Sequence, residues 1–403
     1  MKRLRNILAI SAAAIMSLSV SVGCDKWTEP EALNFDQTME GSYHGEAYYK
    51  NLRAYKASKH TLCFGWFSGW TGVGKPDTRL MGMPDSIDII SLWSGWTGLS
   101  NEQMQDLRDV QTVKGTRVIP CLIIDHIGKG LTPAEVTSDF TVDGVEYSSY
   151  EEAMSAYWGW YSIQQSSGGW PFPTTTEVHY VDGVRQESAP ENIQEIIEAA
   201  VRKYGKAICD EVNRYGYDGF DIDFEPTSFP GNISRNGAYN PRLFILIDEM
   251  SKYLGPQSGT GKILAVDGEP YTLSAECGPK LTYFIIQAYQ DTTDTGIDTG
   301  SSRIGGLLRL YADVHTRAEV VGKTFLTSDF ESGAANGGRI TVDYTTRNGE
   351  KTHQIYGFAQ YYDAETGTRI GGFGAFRFQF DYTNGNNYGY MRTAIQLANP
   401  AVK

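Results

Sequence analysis

Apolar residues recur along this chain in short, near-continuous runs, set between stretches of helical periodicity and polar turn residues. The runs cover residues 61–67, 87–92, 117–124, 219–224, 263–266, 283–288, 324–327 and 374–380. A strand that is apolar on both faces belongs in a parallel sheet with helices covering it, because neither face then meets water. Eight such runs separated by helical or loop segments predict an α/β fold, specifically a (β/α)8 TIM barrel. The longest helical pattern, 192–214, is broken at Gly216 and leads straight into the fourth run. A helix over 42–58 leads into the fold, and one over 388–397 closes it, stopped by Asn399-Pro400.

The widest interval between runs follows the third. Part of it is the 192–214 helix, and 131–190 is an insertion. It carries two Val-Asp-Gly turn signals, at 142–144 and 181–183, each flanked by strand-like residues. It also carries Trp158, Trp160, Tyr161, Trp170 and Phe172. Barrel active sites lie at the strand C-terminal ends, on the loops that follow them. A long aromatic-rich insertion after strand three therefore reads as a wall beside the site, or as a small subdomain packing on itself.

The N-terminus changes the picture of location. Met-Lys-Arg-Leu-Arg precedes an apolar stretch over 7–22, the layout of a secretory signal too short to span a membrane. Gly23 before Cys24 suggests lipoprotein processing with Cys24 lipidated, although Ser21 stands where leucine is usual. Ordinary cleavage leaving a free Cys24 is the alternative. The expected organisation is a lipoprotein signal peptide over 1–23, a lipid anchor, tether and leading helix over 24–58, and the barrel over 59–403. No other segment has the ~18 consecutive apolar residues of a membrane span. Cys63, Cys121, Cys209 and Cys277 fall in apolar runs or on a helix without paired spacing, so free buried thiols are expected and no zinc signature is present. A net charge of −13 argues against nucleic acid as a partner.

Residues 217–226 read Tyr-Asp-Gly-Phe-Asp-Ile-Asp-Phe-Glu-Pro. Side chains alternate across a strand, so Asp221, Asp223 and Glu225 share one face while Ile222 and Phe224 take the other. Asp218 falls off that face. Like charges this close raise at least one pKa, which is how a carboxyl group stays protonated near neutral pH to act as a general acid. An exposed edge strand with a solvated acidic face would not follow a helix into an apolar strand in this way.

The run Asp218-Gly219-Phe220-Asp221-Ile222-Asp223-Phe224-Glu225 resembles the signature of glycoside hydrolase family 18, which includes chitinases and endo-β-N-acetylglucosaminidases. The resemblance extends over roughly 59–400 and is nearest to the endo-acting enzymes that glycan-foraging Gram-negative bacteria carry as surface lipoproteins. It implies a fourth-strand signature, as counted here, and substrate-assisted retaining hydrolysis: the substrate's acetamido oxygen is the nucleophile and an oxazolinium ion the intermediate. It further implies Glu225 as general acid and then base, Asp223 as the holder of the acetamido group, and Asp221 as its proton-sharing partner. Tyr289 matches the tyrosine that bonds the acetamido carbonyl. Gln287 and Gln290 stand where chitinases have methionine and aspartate, and Phe376 where they have the tryptophan under the sugar. These departures turn the expectation from chitin toward the GlcNAc-β-1,4-GlcNAc core of protein N-glycans. Strand ends supply further substrate-binding candidates in Trp66, Phe67, Asp125, His126, Asp267, Glu269, Asp329 and Glu331.

The expected protein is thus a monomeric outer-membrane lipoprotein at the cell surface. It would act on an N-glycan or glycoprotein, meet the membrane only through its lipid, and need no cofactor or metal. A chitinase, or a non-catalytic glycan-binding lipoprotein on the same barrel, is the alternative. The insertion then reads as a glycan-binding wall.

Overall fold

Eight parallel strands close into a barrel in sequence order: β1 (Leu62–Phe67), β2 (Ile89–Leu92), β3 (Arg117–Ile123), β4 (Gly219–Phe224), β5 (Ile263–Gly268), β6 (Tyr283–Gln287), β7 (Thr324–Asp329) and β8 (Gly372–Phe376). β1 pairs with both β2 and β8, which completes the ring. The computed structural model describes residues 44–168, 174–234, 241–382 and 387–400. The expected signal peptide, Cys24 and most of the tether lie outside the described residues. Among those described, no helix is long and apolar enough to cross a membrane.

The apolar runs locate the strands closely, with one shift. β8 ends at Phe376, not at 380, because Arg377 takes a left-handed backbone (φ 49°) that no strand accommodates. The turn that follows lays Phe378 over Gly65 of β1, where a Cβ would come within 2.4 Å of the ring. β5 runs two residues past its apolar run, through Asp267 and Gly268. The leading helix spans Glu46–Lys56 and the closing helix Gly389–Ala398. The long helix Ile193–Tyr215 ends at left-handed Gly216, which hands the chain to β4. Asn399 joins the two ends of the barrel: its side chain accepts from Thr61 N at 3.0 Å and donates to Thr61 O at 2.9 Å.

Alternation along the strands divides the apolar residues into two cores. Phe64, Trp66, Ile119, Cys121, Ala265, Ile285 and Phe325 fill the barrel interior. Phe220, Ile222, Phe224, Leu264, Val266 and Phe284 face outward against the helices. The four cysteines among the described residues are buried and free, in accord with their apolar settings.

The insertion is built on a helix, Tyr150–Trp158, and an antiparallel pair, Trp160–Ser167 with Thr174–Val181. Both Val-Asp-Gly segments turn as expected, with positive φ at Asp143-Gly144 and Asp182-Gly183, the form that suits a two-residue hairpin. Its aromatics depart from the wall reading. Trp158, Trp160 and Tyr161 are buried, Trp158 donating to Thr132 Oγ1 (2.9 Å) and Trp160 to His179 Nδ1 (3.2 Å). They pack the subdomain on itself and on the barrel, since an indole this large is worth more inside than at a rim. Trp170 and Phe172 lie outside the described residues. Glu177 of the antiparallel pair takes both terminal nitrogens of Arg242, at 2.8 and 3.0 Å, and Arg242 also donates to Asn232 O. That clamps the insertion to the segment following β4.

Candidate active site

The site is assembled where β4 ends. Asp221 and Asp223 point into the barrel and are fully buried, while Glu225, one residue past the strand, is half-buried. Ile222 and Phe224 face outward, so the alternation read from the sequence holds in the barrel wall. Asp218 lies off this face and accepts from Val118 N (2.7 Å) and Gln111 Nε2 (2.8 Å), a tie between strands.

Donors from two neighbouring strands hold Asp221. Trp66 Nε1 of β1 and Ser91 Oγ of β2 donate to its Oδ2, at 3.0 and 2.9 Å. Burial still pushes this carboxyl up to about 6, against the lowering effect of the donors. Asp223 is different. Among the described residues no N–H or hydroxyl donor reaches either of its oxygens. Burial, then the charges of the adjoining Glu225 and of Asp221, push it well above the usual carboxylate range. A buried carboxylate without such a donor would be costly, so this group holds a proton.

Gln287 at the end of β6 organises the upper layer. Its Nε2 donates to Glu225 Oε1 at 2.7 Å and to Asp267 Oδ1 at 2.9 Å. Gly268 is what allows the close approach of β5, for its backbone is left-handed (φ 85°) and a Cβ would lie 2.6 Å from Phe224 O and 2.9 Å from Glu225 Cγ. Tyr289 and Phe376 are half-buried at the mouth with ring centroids 6.4 Å apart. Burial first, then Asp267 and Asp223, hold the Tyr289 hydroxyl protonated.

Three of the sequence-derived substrate contacts sit elsewhere than expected. Trp66 is buried inside the barrel, serving Asp221, and offers no face to a ligand. Asp267 is fully buried as well, because β5 extends far enough to set it level with Asp223, its register partner. Phe67 is buried in the outer core.

The remaining strand-end residues are engaged with protein partners, Asp329 buried and the others at least partly exposed. Asp125 accepts from Lys129 Nζ (2.7 Å) and His126 N (2.8 Å); although burial raises it, these bonds bring it down to about 2. His126 stacks on Tyr161. Glu269 accepts from Thr227, Asp329 from Ser332 N, and Glu331 pairs with Arg377. Three residues at the site were not singled out in the sequence. Ser91 interrupts an apolar strand, which is a readable signal. Trp93, half-buried and edge-on to Phe376 at 5.2 Å, follows β2 directly. Gln354 donates to the carbonyls of Ala288, Tyr289 and Asp291, and nothing local marks it.

Cys121 Sγ and one oxygen each of Asp223 and Asp267 lie within 4.8 Å of one another. Burial and the surrounding carboxyl groups push the Cys121 thiol up, and it donates to Asp267 Oδ2 at 3.6 Å, so these three form a proton-holding group. The whole arrangement places a reachable carboxyl group, Glu225, over buried acids that keep protons, beside a tyrosine hydroxyl and aromatic faces. It can deliver a proton to a leaving oxygen and recover one from water.

Comparison with known proteins fits this geometry. A family model described as glycoside hydrolase family 18, BT1044-like, matches residues 28–164 and 174–397. Endo-beta-N-acetylglucosaminidase F2 of Elizabethkingia meningoseptica is 23% identical over 269 residues, which is 65% of this chain and 59% of that protein. The match therefore spans less than two thirds of that relative's length. A solved structure of a selenomethionine, glutamate-to-glutamine form of BT1044 is 28% identical, with a TM-score of 0.65 over 88% of this chain and 93% of that one. The apo endo-beta-N-acetylglucosaminidase of Cordyceps militaris, 17% identical with a TM-score of 0.53 over 89% and 98% of the two chains, shares the fold.

Proposed function

Because this chain belongs to glycoside hydrolase family 18, we propose that it is an endo-β-N-acetylglucosaminidase that cuts the GlcNAc-β-1,4-GlcNAc core of protein N-glycans. The observation that carries the reading is the stack of Asp223 and Glu225 with Gln287 bonded to Glu225 and Tyr289 beside it. Similarity to Endo-beta-N-acetylglucosaminidase F2 supports the cleavage type.

In this reading Glu225 protonates the glycosidic oxygen as the bond to the −1 sugar breaks. The substrate's acetamido oxygen closes on the anomeric carbon from the other face, giving an oxazolinium ion. This is an exception to the two-carboxylate rule of glycosidases. Asp223 passes its proton to Asp221, turns its carboxylate to the acetamido N–H and offsets the positive charge, while Tyr289 donates to the acetamido oxygen. Glu225 then takes a proton from the water that opens the ring, and configuration is retained. Trp93 and Phe376 form the aromatic floor.

Secretion through the 1–23 signal and anchoring at Cys24 on the outer membrane are part of the proposal, drawn from the N-terminal sequence. The decisive experiment is mass spectrometry of glycans released from a high-mannose and a complex-type glycoprotein. Products ending in a single reducing GlcNAc are expected. Glu225→Gln should lower their release by about 10²-fold or more while glycan binding stays measurable. Activity confined to chitin oligomers would replace this reading with a chitinase, and binding without cleavage by the native chain would replace it with a glycan-binding protein.

A further inference from the structure

Asp267 has no assigned part in the chemistry above, yet it lies at the centre of the buried cluster. It faces Asp223 across the β4–β5 register and is fully buried. Its Oδ1 accepts from the Gln287 amide that also holds Glu225, and its Oδ2 accepts from the Cys121 thiol. The ionisable groups facing it are Cys121 from β3, Asp221, Asp223 and Glu225 from β4 and its end, and Tyr289 after β6. The cation acting on this cluster is Lys129, already paired with Asp125.

An ionised Asp267 would add an anion to a closed space rich in anions. Burial, then Asp223 and Asp221, hold it well above the usual carboxylate range, so it is a neutral acid with one O–H to give. The carboxyl groups fall into two adjoining pairs. Asp267 adjoins Asp221, whose Oδ1 meets no N–H or hydroxyl donor among the described residues, and its presence lowers Asp221. Asp223 adjoins Glu225. Gln287 ties the lower pair to the upper one.

We infer that Asp267 is a positioning residue: as a neutral acid it donates to Asp221 and accepts from Gln287, which leaves Asp223 turned to Glu225 and keeps the Gln287 amide on Glu225. Trp66 and Ser91 hold Asp221 Oδ2, and the Asp267 proton then engages Oδ1, which no other donor among the described residues reaches. Asp221 does not draw the Asp223 proton downward before substrate arrives. The effect on turnover rests on the hydrolase reading above, but the protonation state of Asp267 does not.

Two substitutions and a spectrum test it. Asp267→Asn offers an amide N–H to Asp221 and a carbonyl to Gln287, so turnover close to that of the native chain is expected. Its pH profile for kcat/KM should hold to higher pH, since Asp267 can no longer ionise. Asp267→Leu keeps the bulk and removes both bonds, and kcat should fall about 10²-fold through misplacement of Glu225. An asparagine variant as impaired as the leucine variant, a leucine variant of native activity, or a pH profile unchanged by asparagine would overturn the inference. Infrared difference spectra of native minus Asp267→Asn protein, recorded without substrate at neutral pH, should show a carboxylic acid C=O band. A carboxylate band in its place would overturn the inference whatever the substrate proves to be. Failure of the native chain to cut any N-acetylglucosaminide would instead count against the hydrolase reading alone.

Discussion

Trp93 illustrates what one side chain contributes at the mouth of this barrel. It is half-buried and meets Phe376 edge-on, so a face is left for a sugar ring where Phe376 alone has less stacking area. An aromatic contact of this kind is worth ~0.5–1.5 kcal/mol beyond its area. Trp93→Ala is therefore expected to raise KM by roughly 3- to 10-fold with little change in kcat, as measured on a released-glycan assay. A fall in kcat at constant KM would mean that Trp93 shapes the reacting groups instead. Residues at this scale differ in how far they could be read beforehand. Asp221, Asp223 and Glu225 were legible because strand alternation alone sets which face they share. Trp66 and Asp267 were legible as strand-end residues, but depth along the barrel axis was not. Depth depends on the stagger between neighbouring strands, which no single strand encodes.

At the scale of elements, the eight runs were visible because a doubly buried strand must be apolar throughout. The end of β8 was not, because nothing in Phe376-Arg377-Phe378 announces a left-handed arginine. The insertion was seen as a unit with two hairpin turns, and its aromatics were open to two readings. Burial decided between them for Trp158, Trp160 and Tyr161. What secures this unit is the Arg242–Glu177 pair, with Arg242 4.7 Å above the Trp160 ring. Breaking a buried pair by removing one partner costs ~3–5 kcal/mol, because the other charge is stranded. Arg242→Met should thus loosen the antiparallel pair Trp160–Ser167 and Thr174–Val181. Limited proteolysis should show faster cleavage within it while the barrel strands stay protected. Unchanged cleavage would place the anchoring of the insertion in its apolar contacts.

For the whole molecule, the buried carboxyl cluster sets a pH dependence with a definite sign. Asp221, Asp223 and Asp267 all have raised values in the folded chain. Above about pH 4, where an unfolded aspartate loses its proton, the native state binds more protons than the unfolded one. Stability from this source is therefore fully present below that pH and is lost as pH rises through the folded values. Calorimetry of native and Asp267→Asn protein should give similar melting temperatures at pH 4, with the variant increasingly the more stable toward pH 8. Asp125, held down to about 2, acts in the opposite direction but cancels in the comparison. A gap that closes or reverses with rising pH would show that Asp267 is ionised in the native state.

Asn399, with its two hydrogen bonds to Thr61, makes the barrel nearly a ring without a seam. The chain enters β1 at the end of the barrel opposite Glu225 and leaves beside the same point. A circular permutant rejoined there could be opened at another loop with the strand order around the barrel unchanged. His44 lies on that far face too, against Asp85 ahead of β2, so a domain fused ahead of residue 44 would start away from the carboxylate mouth.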